Sequence, residues 1–189
     1  VRIISGNRKG KRLRAPSNLP VRPTTDFAKE ALFNIVNNHF DIEDTDVLDL
    51  FAGTGNISYE FASRGAADIL AVEINHQCVQ YIIKTALQLE FHQLKCIKAD
   101  AIHFLRTSRM AKDIIFADPP FDFEQIELIP QLVFENNLLK NGGWLIVEHS
   151  VRTSLGDHPN IFDVRKYGSV CFSFFKNEMI TESNEQIGL

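Results

Sequence analysis

The sequence lacks any apolar stretch near the roughly 20 residues that a membrane-spanning helix requires, which excludes a spanning helix on sequence grounds. Its three cysteines, Cys78, Cys96 and Cys171, are far apart, odd in number and set in apolar surroundings. A disulfide framework is thereby excluded, and packing is the expected role of each. None of the six histidines stands at zinc-motif spacing from another His or Cys, so no metal site is expected. The basic amino terminus is not followed by an apolar segment, so no secretory signal is expected and the protein is read as cytoplasmic. Acids are missing altogether from residues 1–22, where Arg2, Arg8, Lys9, Lys11, Arg12, Arg14 and Arg22 stand. The rest of the chain holds 13 basic residues against all 24 acids, so a balance of +7 is followed by one of −11. Such a split points to an anionic partner met by the amino-terminal segment, although a solvated tail explains the charge alone equally well.

What is present suits one soluble α/β domain with an appendage: 189 residues, 44% apolar and 23% charged. "RIISGNRKGKRLRAP" holds two short runs around Gly6, Asn7 and Gly10, the pattern of a basic β-hairpin. "RPTTDFAKEALFNIVNNHF" reads as a helix. Thr24, Thr25 or Asp26 can cap it, Lys29 and Glu30 lie in its first turns, and Ala28, Ala31, Leu32, Ile35 and Val36 repeat at helical spacing. From Asp46 onward, strand-like runs alternate with helices: "DVLDLFAG", "ADILAVEI", "LKCIKAD", "KDIIFADPP" and "GGWLIVEHS" are the strands. The helix in "EQIELIPQLVFENNLLK" is expected to kink or break at Pro130. This alternation implies a parallel sheet with helices on both faces. "NIFDVRKYG" and "SVCFSFFKN" are joined by so short a turn that they must be antiparallel. The expected division is a hairpin-and-helix extension over 1–40, a main domain over 41–180 and a polar tail over 181–189.

Candidate site residues gather at strand ends. In "DLFAGTG", Gly53 and Gly55 let the backbone turn sharply and approach a ligand closely. Dinucleotide-binding enzymes share that loop, but the third position of their fingerprint is Ser58 here. Glu73, ending the second strand, can accept both hydroxyls of a ribose. Asp100, followed by Ala101 after the third strand, can accept from an adenine amine. Asp49, Glu73, Asp100 and Asp118 thus stand near the ends of four successive strands; each alone reads more readily as a helix cap or surface acid, and it is the four together that point to one ligand-lined rim. After the fourth strand, Pro119 and Pro120 must stop the ladder and fix the exit loop. Asp118 and the Pro119 carbonyl can then hold the protons of an exocyclic purine amine while Phe121 stacks on the base, worth roughly 1–3 kcal/mol.

A parallel sheet that finishes in an antiparallel hairpin resembles the Rossmann-like methyltransferases that use S-adenosylmethionine. More closely, "RIISGNRKGKRL", "RPTTD" with "KEALFNI", "DLFAGTG", "SRGA", "VEIN" and "DPPF" resemble the RsmD-type guanine-N2 methyltransferases of small-subunit ribosomal RNA over nearly the whole chain. The resemblance implies a seven-stranded sheet, mostly parallel, and transfer of a methyl from S-adenosylmethionine, leaving S-adenosylhomocysteine, to the N2 amine of a guanine in 16S ribosomal RNA. It implies that Asp49, Phe51, Gly53, Gly55, Glu73 and Asp100 line the cofactor site and that Asp118, Pro119 and Phe121 hold the amine. It further implies RNA contacts from the basic hairpin, with Arg22 and Thr24 in a segment closing over the site. Phe27 stands where relatives often carry a basic residue, which removes one candidate phosphate contact. The expected partner is an assembling or assembled small subunit, with the protein a monomer and the target base flipped into the pocket. Three other readings stay open: an adenine-N6 nucleic-acid methyltransferase, for whose target-recognition region the chain has no room, a nicotinamide-dependent oxidoreductase, and a non-catalytic RNA-binding module.

Overall fold

A computed structural model describes residues 1–15 and 25–178. Its elements follow in the order α1 (Asp26–Asn37), a 3-10 turn (Ile42–Asp44), β1 (Asp46–Leu50), α2 (Asn56–Ser63), β2 (Asp68–Glu73), α3 (His76–Gln88), β3 (Leu94–Lys98), α4 (Ala101–Thr107), β4 (Lys112–Ala117), α5 (Leu128–Glu135), β5 (Leu139–Ser150), β6 (Ile161–Tyr167) and β7 (Val170–Lys176). One seven-stranded sheet runs β3-β2-β1-β4-β5-β7-β6, with β1 to β5 parallel and β7 antiparallel to both its neighbours. The expected architecture is thus observed. No described helix is long and apolar enough to cross a membrane.

Period-2 alternation sorts the strand residues onto two faces. Val47, Ile69, Ala71, Ile114, Phe116, Ile146, Phe172 and Phe174 pack with Leu32, Phe33 and Val36 of α1 and with α2 and α3. Leu48, Leu50, Val72, Ile115, Ala117, Leu145 and Val147 pack on the other face with α4 and α5. Side-chain caps start three of the helices: Thr25 accepts from the Ala28 amide, Asn75 from Gln77 and Cys78, and Asp100 from His103. The helix expected to kink or break at Pro130 instead begins at Leu128, and residues 124–127 form turns. Pro130 is therefore the third helical residue, where its missing N–H forfeits no bond within the helix.

The hairpin forms around an antiparallel bridge between Arg2 and Arg12 and lies along α2. Its tip presses on the end of that helix, where a Cβ on Gly6 (φ +81) would stand 1.8 Å from the Ser63 carbonyl oxygen. Every residue of α2 is buried, and Asn56, Glu60 and Ser63 find polar partners there. Glu60 accepts from the Ile4 and Ser5 amides at 2.8 and 3.0 Å and from Arg64, while Ser63 donates to the Ser5 carbonyl at 2.6 Å. Lys29, wholly buried, donates to the Arg2 carbonyl and to Asn56 Oδ1 at 2.5 and 2.7 Å and lies 3.6 Å from Glu60. Burial lowers its pKa, opposed by the Glu60 charge. The hairpin, α1 and the first residue of α2 are thereby tied at one buried cluster.

Candidate functional site

Parallel register fixes the site's layout before any side chain is considered. Leu50 of β1 is level with Val72 of β2 and with Ala117 of β4, and Ala117 is level with Val147 of β5. One step further toward the carboxyl ends come Glu73, Phe51, Asp118 and Glu148, on adjacent strands about 4.8 Å apart. Glu73 and Asp118 therefore bracket the loop after β1, two strand spacings from each other.

That loop is held open by unusual backbone. Phe51 (φ 59), Gly53 (φ 54) and Gly55 (φ 80) all occupy the left-handed region, which costs a non-glycine residue such as Phe51 on the order of 1 kcal/mol or more. At Gly55 a Cβ would also come within 2.8 Å of the Tyr59 ring. The Phe51 ring packs edge-on against Phe123, centroids 5.2 Å apart, which links this loop to the one after β4. Glu73 pins the loop: one carboxylate oxygen accepts from the Gly53 amide and the other from the Asn75 amide, both at 2.7 Å. The residue as a whole is 8% exposed.

Asp49 lies beneath the loop and accepts from both the amide and the hydroxyl of Ser58, at 3.1 and 2.5 Å. Burial pushes its carboxyl up to about 7, against the pull of the Ser58 bonds and with a smaller push from the Glu73 charge. The raised value means that the folded state binds this proton more tightly than the unfolded chain does. Stability from this group is thus fullest below the ordinary value of 3.8 and is lost as pH rises to about 7. Asp49→Asn removes that loss. Its melting temperature relative to the parent climbs from pH 4 to 7 and levels off above, which thermal unfolding across that range checks; a difference independent of pH would contradict the assignment. Asp100 caps α4 through one oxygen at 2.7 Å from the His103 amide and is otherwise exposed at the rim, with Ala101 buried behind it.

Across the loop, the Asp118 amide still reaches the Leu50 carbonyl at 3.4 Å, so the aspartate extends the ladder by one residue before the prolines end it. Pro119 is buried, Pro120 is exposed, and a turn closed by the Phe123 amide on the Pro120 carbonyl at 2.9 Å sets the loop. Phe121 presents about half its surface to solvent. Burial holds the Asp118 carboxyl well above the usual carboxylate range, reinforced by the charges of Glu148 and then Asp49. Glu148, which the sequence reading passed over, therefore belongs to this corner. Its position in the middle of an apolar strand run was the available signal, since a buried acid there requires a reason.

The basic residues divide. Arg8 is spent on Glu90 (2.6 Å) and the Leu89 carbonyl (3.0 Å), near the far ends of α2 and α3. Lys9, Lys11, Arg12 and Arg14 are exposed, and Arg12 and Arg14 stand at the open end of the hairpin, where Arg2 pairs with Asp26 at the start of α1. Arg22 and Thr24 lie outside the described residues. A cavity of about 630 Å³ sits between the hairpin tip, residues 37–43 and Arg64, on the edge where the strands begin. It is remote from the acids above. The rim itself offers acceptors suited to ribose hydroxyls and an adenine amine beside a glycine-rich backbone, and these groups fit an adenosine-containing cofactor.

Comparison with known proteins agrees with this arrangement. Residues 1–176 match the family model described as Conserved hypothetical protein 95. Ribosomal RNA small subunit methyltransferase D of Escherichia coli K12 is 30% identical over 187 residues, covering 97% of this chain and 93% of that protein. The protein of the same name from Buchnera aphidicola subsp. Baizongia pistaciae is 32% identical over 88% of this chain and 85% of its own length. The solved structure of the Escherichia coli protein yhhF superposes with a TM-score of 0.82 at 30% identity, covering 94% of this chain and 98% of that one. A sheet of this order with these strand-end acids, matched over nearly its whole length, places the chain in the family of ribosomal RNA small subunit methyltransferase D.

Proposed function

We propose that the protein transfers a methyl group from S-adenosylmethionine to the N2 amine of a guanine in 16S ribosomal RNA, acting as a cytoplasmic monomer on an assembling or assembled small subunit. The observation that carries this reading is the placement of Asp118 and Pro119 beside the strained loop, with Glu73 on its other side. Full-length relatives named for small-subunit ribosomal RNA support the substrate class, and the family resemblance supports guanine N2.

The cofactor, when bound, supplies an activated methyl on a sulfonium, whose bond to sulfur breaks as the amine lone pair attacks. Glu73, Asp100 and Ala101 hold the adenosine, while Gly53 and Gly55 allow the backbone close to it and Asp49 and Phe51 keep the loop in shape. Asp118 and the Pro119 carbonyl accept the two protons of the guanine amine. This favours a pyramidal nitrogen whose lone pair points along the line of transfer. Pro120 fixes that carbonyl, and Phe121 stacks on the base. The product ammonium sheds its proton to Asp118 or to water. Lys9, Lys11, Arg12 and Arg14 meet phosphates, and the acidic body leaves ribosomal proteins to complete recognition.

Labelled methyl transfer to unmodified small subunits, with free ribosomal RNA and DNA in parallel, tests the reading. The expected label appears in N2-methylguanosine from subunits. Label in N6-methyladenine from DNA, or thermal protection by NAD and not by S-adenosylhomocysteine, overturns it.

A further inference from the structure

The strands do not end level. β4 stops at Ala117, whose partner on β5 is Val147, but β5 runs on through Glu148 and His149 to Ser150. Three residues at about 3.3 Å each carry it roughly 10 Å past the end of β4. Ser150 pairs with Val170 at the start of β7, and Val170 pairs with Tyr167 at the end of β6. The turn between β6 and β7 is lifted to the same height, where the Val151 amide donates to the Ser169 carbonyl at 3.3 Å. These ends form a wall on the β5 side of Asp118, across from the side where Glu73 and Asp100 stand.

Phe27 stands against the top of that wall. Tyr167 and Val170 pack on the core that α1 covers, and the Phe27 ring meets the Tyr167 ring in a T-shaped contact with centroids 6.1 Å apart. The contact steadies the ring yet leaves the residue 72% exposed, more than any other large apolar side chain among the described residues. Cations stand on both sides of it. Asp26, its neighbour in the chain, pairs with Arg2 of the hairpin, whose bridge partner Arg12 is exposed. Arg165, two residues before Tyr167 and so on the same face of β6, is also exposed and donates through Nε to Asp163 at 2.7 Å. A ring so open gains little from burial, and a cationic surround suits an anionic partner that carries flat apolar groups. Unpaired RNA bases joined by phosphates have both characters.

We propose that Phe27 stacks on an unpaired base of the substrate strand near the target, which itself enters at Asp118, so that the wall is a second RNA-contact surface beside the basic hairpin. This rests on the RNA reading above and names a contact that the reading leaves out. A stacked ring carries no charge and releases no counterion, so its share of the grip is independent of salt, unlike that of the hairpin.

The test measures methyl transfer to unmodified small subunits by the whole chain and compares the parent with Phe27→Ala and Phe27→Tyr. Phe27→Ala raises KM for subunits by about tenfold, by the same factor at low and high salt, and leaves kcat and the calorimetric affinity for S-adenosylhomocysteine unchanged. Phe27→Tyr keeps a ring and returns KM to within about twofold of the parent. With p-benzoylphenylalanine in place of Phe27, irradiation on subunits links the protein to 16S ribosomal RNA. An unchanged KM in Phe27→Ala, a tyrosine variant no better than the alanine one, or crosslinks to ribosomal proteins alone overturns the proposal. Should the parent itself transfer no methyl to subunits, the RNA reading fails instead, whatever the variants do.

Discussion

Asp118→Ala lowers the rate of methyl transfer by about a thousandfold and leaves the affinity for S-adenosylhomocysteine unchanged. Asp118 lies two strands from Glu73 and one from Glu148, so the substitution removes an acceptor for the amine and leaves in place Glu73 and Asp100, the acids proposed to hold the adenosine. Its effect falls on the step in which the nitrogen lone pair must be aimed, since only there does the held proton matter. Folding is not the cause of the loss, because removing a carboxylate crowded by Glu148 and Asp49 relieves repulsion, and the melting temperature of the variant is expected to equal or exceed that of the parent. Asp118→Asn retains an acceptor oxygen and falls between parent and alanine variant. Single-turnover transfer beside calorimetry separates the two quantities. Equal damage to both, or transfer that survives, would remove Asp118 from the reacting atoms.

Glu73→Ala produces the opposite split. It deletes the acceptor of two short bonds, to the Gly53 and Asn75 amides at 2.7 Å each. Hydrogen bonds to a charged group contribute about 1.5–3 kcal/mol. Their loss frees a loop whose Phe51, Gly53 and Gly55 are held in left-handed backbone, and it removes the acceptor proposed for the ribose hydroxyls. S-adenosylhomocysteine affinity is therefore expected to fall by about a hundredfold or more. Transfer at saturating cofactor falls much less. Amide hydrogen exchange at Gly53 and Asn75 quickens in the same variant, which reports the loop directly. A variant that binds cofactor as tightly as the parent would show that Glu73 merely braces the fold.

The elements of this protein were legible in its sequence because their causes are local. Period-2 runs, helical spacing, capping residues and the glycine and proline stops act within a few residues, and they place the acids of "DLFAGTG", "VEIN", "KAD" and "DPPF" at strand ends wherever the strands go. The two-residue link between β6 and β7 similarly determined an antiparallel finish. Contacts between distant segments were decided only by the tertiary structure. Lys29 reads as an ordinary charge in the first turns of a helix, yet it is wholly buried because the hairpin, Asn56 and Glu60 converge on its ammonium. Arg8 reads as an RNA contact, yet Glu90, 82 residues away, occupies its guanidinium. Glu148 reads as one acid within an apolar strand. Only the pairing of β5 with β4 brings it beside Asp118, thirty positions earlier, because strand register is set by the packing of two faces over the whole sheet and no short stretch of chain contains that information.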